Sequence, residues 1–295
     1  MNDILLKIVP LLLIFIVGYI LKKANIFRDA DLLLKLVFYV SLPALIILSV
    51  SKIKLSAETI LLPATAILVI IITFLVSYFI GKMLRLERPS FGTFLIGTMI
   101  LNLGFLYPFF LAAYGQEGFA KATLFNFGND LMIFTFIYCL ACKYGDNKKD
   151  NKAIIKKFIL APPLWALIIS LIINFSNSSV PSFLNGFFEI LGNTAIPLIL
   201  LSLGIYFTPK IVKFVPLTAA VIIRMFVGLF LGYFFVRLFG FNGLEKSIVL
   251  IASAAPVGFN TITFSSLESL DKEFAAALVS VSILIGIFLA PLLIM

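Results

Sequence analysis

Ten runs of about 20 apolar residues, divided by short polar breaks, constrain this chain more than any other feature. They lie roughly at 4–22, 31–51, 58–82, 90–114, 119–142, 155–175, 184–207, 213–238, 245–267 and 273–294. About 20 apolar residues carry a helix across the hydrocarbon core of a bilayer. Ten crossings use about 200 residues of the 295 and leave too little for a soluble domain of ordinary size. Composition agrees, with 62% of residues hydrophobic and 13% charged, against about 45–50% and 25% in soluble domains. The expected fold class is an all-α membrane protein of ten transmembrane helices. Run 1 is too long for the apolar core of a signal peptide and lacks a small-residue cleavage site, so it reads as a retained first helix.

What is missing narrows the chemistry. There is no histidine and there are two cysteines, Cys139 and Cys142, so a four-ligand nitrogen/sulfur metal site cannot be assembled. Histidine-based acid/base or nucleophile–base pairs are excluded too. The C-x-x-C pair ends an apolar run with no thioredoxin-like strand beside it, which reads as lipid-facing or packing cysteine rather than redox chemistry. No cofactor and no enzymatic activity are expected.

The net charge of +9 reads as topology. Basic residues concentrate on the cytoplasmic side of membrane helices. With the N-terminus outside, most Lys and Arg fall inside, among them Lys22, Lys23, Arg28, Lys82, Arg85, Arg88, Lys148 and Lys149. Both termini are then expected outside a cytoplasmic (plasma) membrane. Nucleic acid is not an expected partner, because the charge has no basic surface to occupy.

Laid on itself with a shift of 153–154 residues, the chain matches in order. Pro10 meets Pro163, Ser41-Leu42-Pro43 meets Ala195-Ile196-Pro197, and Leu62-Pro63-Ala64 meets Val215-Pro216-Leu217. Asn102 to Pro108 then meets the region from Pro256 to Asn260. Each half holds five runs, and an odd number reverses sidedness. The expected architecture is two inverted five-helix repeats, 1–142 and 155–295, joined by a cytoplasmic linker at 143–154. Inverted repeats are a recurrent plan of secondary transporters, with substrate near the midplane where discontinuous helices meet.

Runs 4 and 9 are the candidates for that discontinuity. Run 4 reads Asn102-Leu103-Gly104-Phe105-Leu106-Tyr107-Pro108, and run 9 reads Pro256-Val257-Gly258-Phe259-Asn260. The Pro108 ring clashes with the carbonyl of Gly104, which places the expected break at Gly104. Half-helix N-termini at such breaks offer free N–H groups and partial positive charge, suited to a carboxylate. In run 5, Asn126 and Asp130 share a helix face. Asp130 and Arg224 both sit deep in their runs, where ionisable groups are costly and face a bundle interior or an ion path. They read either as a structural pair or as an ion-coupling Asp130 with Arg224 in support. Gly228 and Gly232 have the G-x-x-x-G spacing of close helix packing.

The ordered set Asn102…Gly104-Phe105…Pro108, Tyr114-Gly115, Phe127-Gly128-Asn129, Pro162-Pro163-Leu164, Gly192-Asn193…Pro197 and Ala255-Pro256-Val257-Gly258-Phe259-Asn260-Thr261 resembles the auxin efflux carrier family, in its short bacterial form, over essentially the whole chain. The resemblance implies scaffold helices 1, 2, 6 and 7, commonly dimerised, so a homodimer is expected. It implies a transport domain of helices 3–5 and 8–10 with broken, crossed helices 4 and 9, and an elevator-like motion. By position, the resemblance puts the substrate at Asn102, Pro108, Asn126, Asp130, Pro256, Gly258 and Asn260, faced by Ser41 and Pro43 of the scaffold. One departure is that Leu106 stands two residues before Pro108, where the family usually has Gly.

The expected function is therefore secondary transport of a small organic anion, a carboxylate, with H+ or Na+ as coupling ion. A sodium-coupled symporter of the bile-acid carrier type shares the crossover plan and stays open as an alternative. So, from another class, does a channel or a regulatory membrane subunit.

Overall fold

The computed structural model describes residues 2–27, 30–145, 159–176, 178–207 and 209–295. Most of the linker expected at 143–154 lies outside the described residues. The protein is helical: α1 is Asn2–Lys23, α2 Asp31–Val50, α3 Ala57–Met83, α4 Arg88–Met99 and α5 Leu103–Tyr144. In the second half, α6 is Pro162–Phe175, α7 Ser182–Gly192, α8 Ala195–Tyr206 and α9 Phe214–Phe239. The chain closes with α10 at Gly243–Ser253, α11 at Asn260–Leu267 and α12 at Lys272–Ile294. Among the described residues the one departure toward sheet is an isolated antiparallel bridge, Leu101 with Val257.

Among the described residues, six stretches are long and apolar enough to cross a membrane: α2, α3, α5, the pair α7–α8, α9 and α12. Runs 4 and 9 do not form single long helices. Each gives a short helix, a few residues of extended backbone, and a second helix. The second piece of run 4 and all of run 5 are joined as α5, which bends at Gly115, where φ is +64°.

Side chains set where several helices start. Ser56 accepts the Thr59 amide at the head of α3, Asn102 accepts that of Phe105 at the head of α5, and Asp271 accepts that of Phe274 at the head of α12. Each satisfies one of the orphan donors of a first helical turn. Three long helices carry one π-turn apiece, at Val37–Ser41, Ile133–Ile137 and Ile222–Val227. Such bulges concentrate at functional sites.

α1 packs along α8, and α2 takes α6 and α7, while α3 packs along α5 and α9 along α10. One apolar core runs from Leu11 to Ile294 through α4 and the start of α5. The outer faces expose Phe79, Phe230 and Phe288, as lipid-facing positions do. Among the described residues, three ion pairs in two clusters tie helix segments together. Lys121 lies 2.8 Å from both Glu117 and Glu245, and Thr59 donates to the same Glu245 carboxylate. Lys213 pairs with Asp271 at 2.5 Å, and Ser90 donates to that carboxylate. Thr59 and Ser90 are separated by α3, whose 27 residues span about 40 Å at 1.5 Å per residue. The two clusters therefore lie at opposite ends of the bundle.

Candidate crossover site

The two breaks lie antiparallel beside each other and satisfy one another's backbone. The Asn102 amide donates to the Pro256 carbonyl at 2.9 Å, and the Gly258 amide donates to the Ile100 carbonyl at 3.0 Å. The Asn102 side chain donates to the Val257 carbonyl at 3.3 Å, while its oxygen accepts the Phe105 amide at 3.1 Å. The Val257 amide donates to the Ser282 hydroxyl at 3.0 Å. Backbone opened at membrane depth needs partners inside the protein, and here each break supplies them to the other. Gly258 is required by this approach, since a Cβ there would run into Ile100 and the Leu101 backbone.

The break falls at Ile100–Asn102, not at Gly104. Pro108 lies inside α5, buried. The prolyl clash is absorbed within the helix, because the Asn102 cap and the pairing to residues 256–258 fix the helix start upstream of Gly104.

Asn129 completes the arrangement. Its side chain accepts the Leu101 amide at 3.3 Å and donates to the Leu101 carbonyl at 3.2 Å, acting as a second strand for that residue. It also donates to Asn126 at 2.9 Å, and Asn126 donates to the Asp130 carboxylate at 2.9 Å. The row Asn129, Asn126, Asp130 thus joins the break to a carboxylate on the same helix.

A cavity of about 580 Å³ opens beside this row. Asn102, Asn126, Asp130, Gly258 and Asn260 line it, together with Asn129, Thr123, Tyr107 and the first residues of α5. From the facing helix α2 come Asp31, Lys35, Phe38 and Tyr39. The N-terminal ends of α5 and α11 both reach the cavity, and such ends carry free N–H groups and partial positive charge.

The other sequence-derived candidates sit elsewhere. Ser41 is buried and hydrogen-bonded to the Thr194 hydroxyl at 2.6 Å, and neither it nor Pro43 lines the cavity. Pro256 contributes its carbonyl to Asn102. Arg224 makes no pair with Asp130: its guanidinium donates to the carbonyls of Thr98 at 3.0 Å, Met99 at 3.3 Å and Ser253 at 2.7 Å. Asn129, which also lines the cavity, is not among the sequence-derived candidates, although the run Asn126-Phe127-Gly128-Asn129-Asp130 puts it one turn from Asn126.

The family described as membrane transport protein matches residues 3–294. The chain belongs to this family, that of the auxin efflux carriers. An uncharacterized transporter of Methanocaldococcus jannaschii is 29% identical over 279 residues, covering 90% of each chain. A second uncharacterized transporter, from Methanothermobacter thermautotrophicus, is 23% identical over 293 residues, 97% of this chain and 95% of its own. The protein is accordingly a multi-pass membrane transporter, and its family implies transport rather than catalysis.

Proposed function

We propose that this transporter moves a small organic anion, a carboxylate, bound in the cavity at the crossover. The observation that carries the reading is the convergence of two helix N-termini, α5 and α11, on a cavity also lined by Asn102, Asn126 and Asn260. N–H groups and amide donors of this kind suit a carboxylate. Asp130, hydrogen-bonded to Asn126 at the same wall, is the group we assign to the coupling ion, H+ or Na+. The break–helix arrangement recurring in runs 4 and 9 supports two inverted five-helix halves. On that plan α3–α5 and α9–α12 move as a transport domain against a scaffold of α1, α2 and α6–α8, which dimerises.

Asp31 and Lys35, both exposed, line the cavity at the start of α2, the end that follows Lys22 and Lys23 of α1. With basic residues inside, both termini are outside a cytoplasmic membrane and the cavity opens inward.

Purified protein screened by thermal shift against a panel of carboxylates, followed by counterflow in liposomes, tests the function. Saturable counterflow of a carboxylate supports a carrier; conductance without counterflow points to a channel. Flux indifferent to sodium removes the symporter alternative. Labelling of Arg85→Cys from the inner side and Lys52→Cys from the outer side tests the orientation.

A further inference from the structure

Arg224 is fully buried, in the π-turn of α9. It does not line the cavity. Its contacts are with the last carbonyls of α4, at Thr98 and Met99, and with the Ser253 carbonyl that ends α10. One guanidinium therefore caps the C-terminal ends of both helices that lead into the crossover. Gly228, one turn on, makes room for this, because a Cβ there would meet the Ser253 carbonyl and the guanidinium itself. Among the described residues no carboxylate pairs with Arg224: the ion pairs are those of Lys121 and Lys213.

The charge balance of the crossover follows. A helix end carries roughly half an elementary charge, positive at its N-terminus and negative at its C-terminus. Two helices end here and two begin, so a bare crossover is close to neutral. Arg224 cancels the negative ends, so the positive ends of α5 and α11 are opposed by the Asp130 carboxylate on the cavity wall. The surplus of about one positive charge is present when the coupling ion neutralises Asp130.

We propose that Arg224 determines the anion specificity of the crossover cavity without touching the substrate, by neutralising the two helix C-termini behind it. The inference rests on the carboxylate reading above. It makes Arg224 a positioning and specificity residue whose effect is electrostatic, carried through the two broken helices.

The test compares each acid with its uncharged amide: malonate with malonamide, and benzoate with benzamide, binding to the purified full-length protein. Wild type binds the acid more tightly than the amide. Arg224→Gln retains amide donors for the carbonyls but removes the charge, and loses about tenfold in affinity for the acid with the amide changed less than twofold. Arg224→Lys retains the charge and restores the preference. Ser253→Asp adds a carboxylate at the residue whose backbone carbonyl the guanidinium caps, offsets the charge with the donors in place, and gives the same selective loss. That variant carries the test if Arg224→Gln does not fold. Acid-to-amide ratios unchanged in Arg224→Gln or Ser253→Asp would overturn the proposal. Binding of no acid in the carboxylate panel to wild type overturns the carboxylate reading itself, and this inference with it.

Discussion

The side chain of Asn129 and the backbone of Leu101 exchange two hydrogen bonds, at 3.3 and 3.2 Å, both buried within the membrane. An amide side chain on one helix thus stands in for a neighbouring strand, at the residue where run 4 abandons helical geometry. Asn129→Ala removes both partners at once and leaves a buried N–H and a buried carbonyl unpaired. Each costs about 1–3 kcal/mol. The expected outcome is a thermal unfolding midpoint in detergent several degrees below wild type, with transport lost. An unchanged midpoint would show that the pairing carries no stability.

Asn102→Ala and Asp130→Asn are expected to abolish liposome flux while folded protein remains in the membrane. Asn102 touches Val257 and Phe105 and also lines the cavity, so its loss also costs about 1–2 kcal/mol of helix capping. Asp130→Asn is nearly isosteric and retains an acceptor for Asn126, so its unfolding midpoint stays within a degree or two of wild type. Wild-type flux in both variants would sink the proposed site.

Two glycines of the crossover should behave oppositely. A methyl group at Gly258 would collide with Ile100 and the Leu101 carbonyl, an overpacking that costs about 1–3 kcal/mol. At Gly104 the nearest obstacle is the Asn102 side-chain oxygen, 3.7 Å away. Gly258→Ala is expected to lower stability and stop transport, whereas Gly104→Ala folds normally and alters only affinity, since it lines the cavity. Circular dichroism melts paired with uptake kinetics separate the two.

Acid should loosen one end of the bundle. Burial raises the Asp271 carboxyl, but Lys213, the Phe274 amide and Ser90 outweigh it and hold the group below the usual carboxylate range. A depressed native value means the stabilisation is present above about pH 4, the unfolded value. It fades as pH falls through the lower native one. Lys213 is 42% exposed on its side chain, so solvent screening limits the contribution to about 1 kcal/mol or less. Between pH 5 and 3 the wild-type melting temperature should fall more steeply than that of Asp271→Asn. Parallel slopes would remove Asp271 from the acid response.

Much of the lining of the candidate cavity could be read in advance from Gly and Asn gathered inside runs that ought to have been uniformly apolar. Asn102, Gly258 and Asn260 stood out because such residues weaken a lipid-spanning helix unless the break is used. Two features could not be read. The break lies upstream of where Pro108 alone would put it, because its position is fixed by hydrogen bonds to residues some 155 positions away. The partners of Arg224 are carbonyls, and every residue has one, so composition points only to the rarer carboxylates such as Asp130. Runs 4 and 9 are absent, as single helices, from the six long apolar stretches found among the described residues because suitable hydropathy does not reveal that a backbone is interrupted.

The bridge between Leu101 and Val257 also sets an order of events during synthesis. The Asn102 amide and the Ile100 carbonyl find their partners in Pro256 and Gly258, which leave the ribosome about 155 residues later. At 5–20 residues per second that is about 8–30 s. Throughout that interval the break in the first half lacks the partners it has in the finished fold. The pairing that closes this break is therefore completed only from the C-terminal half of the chain.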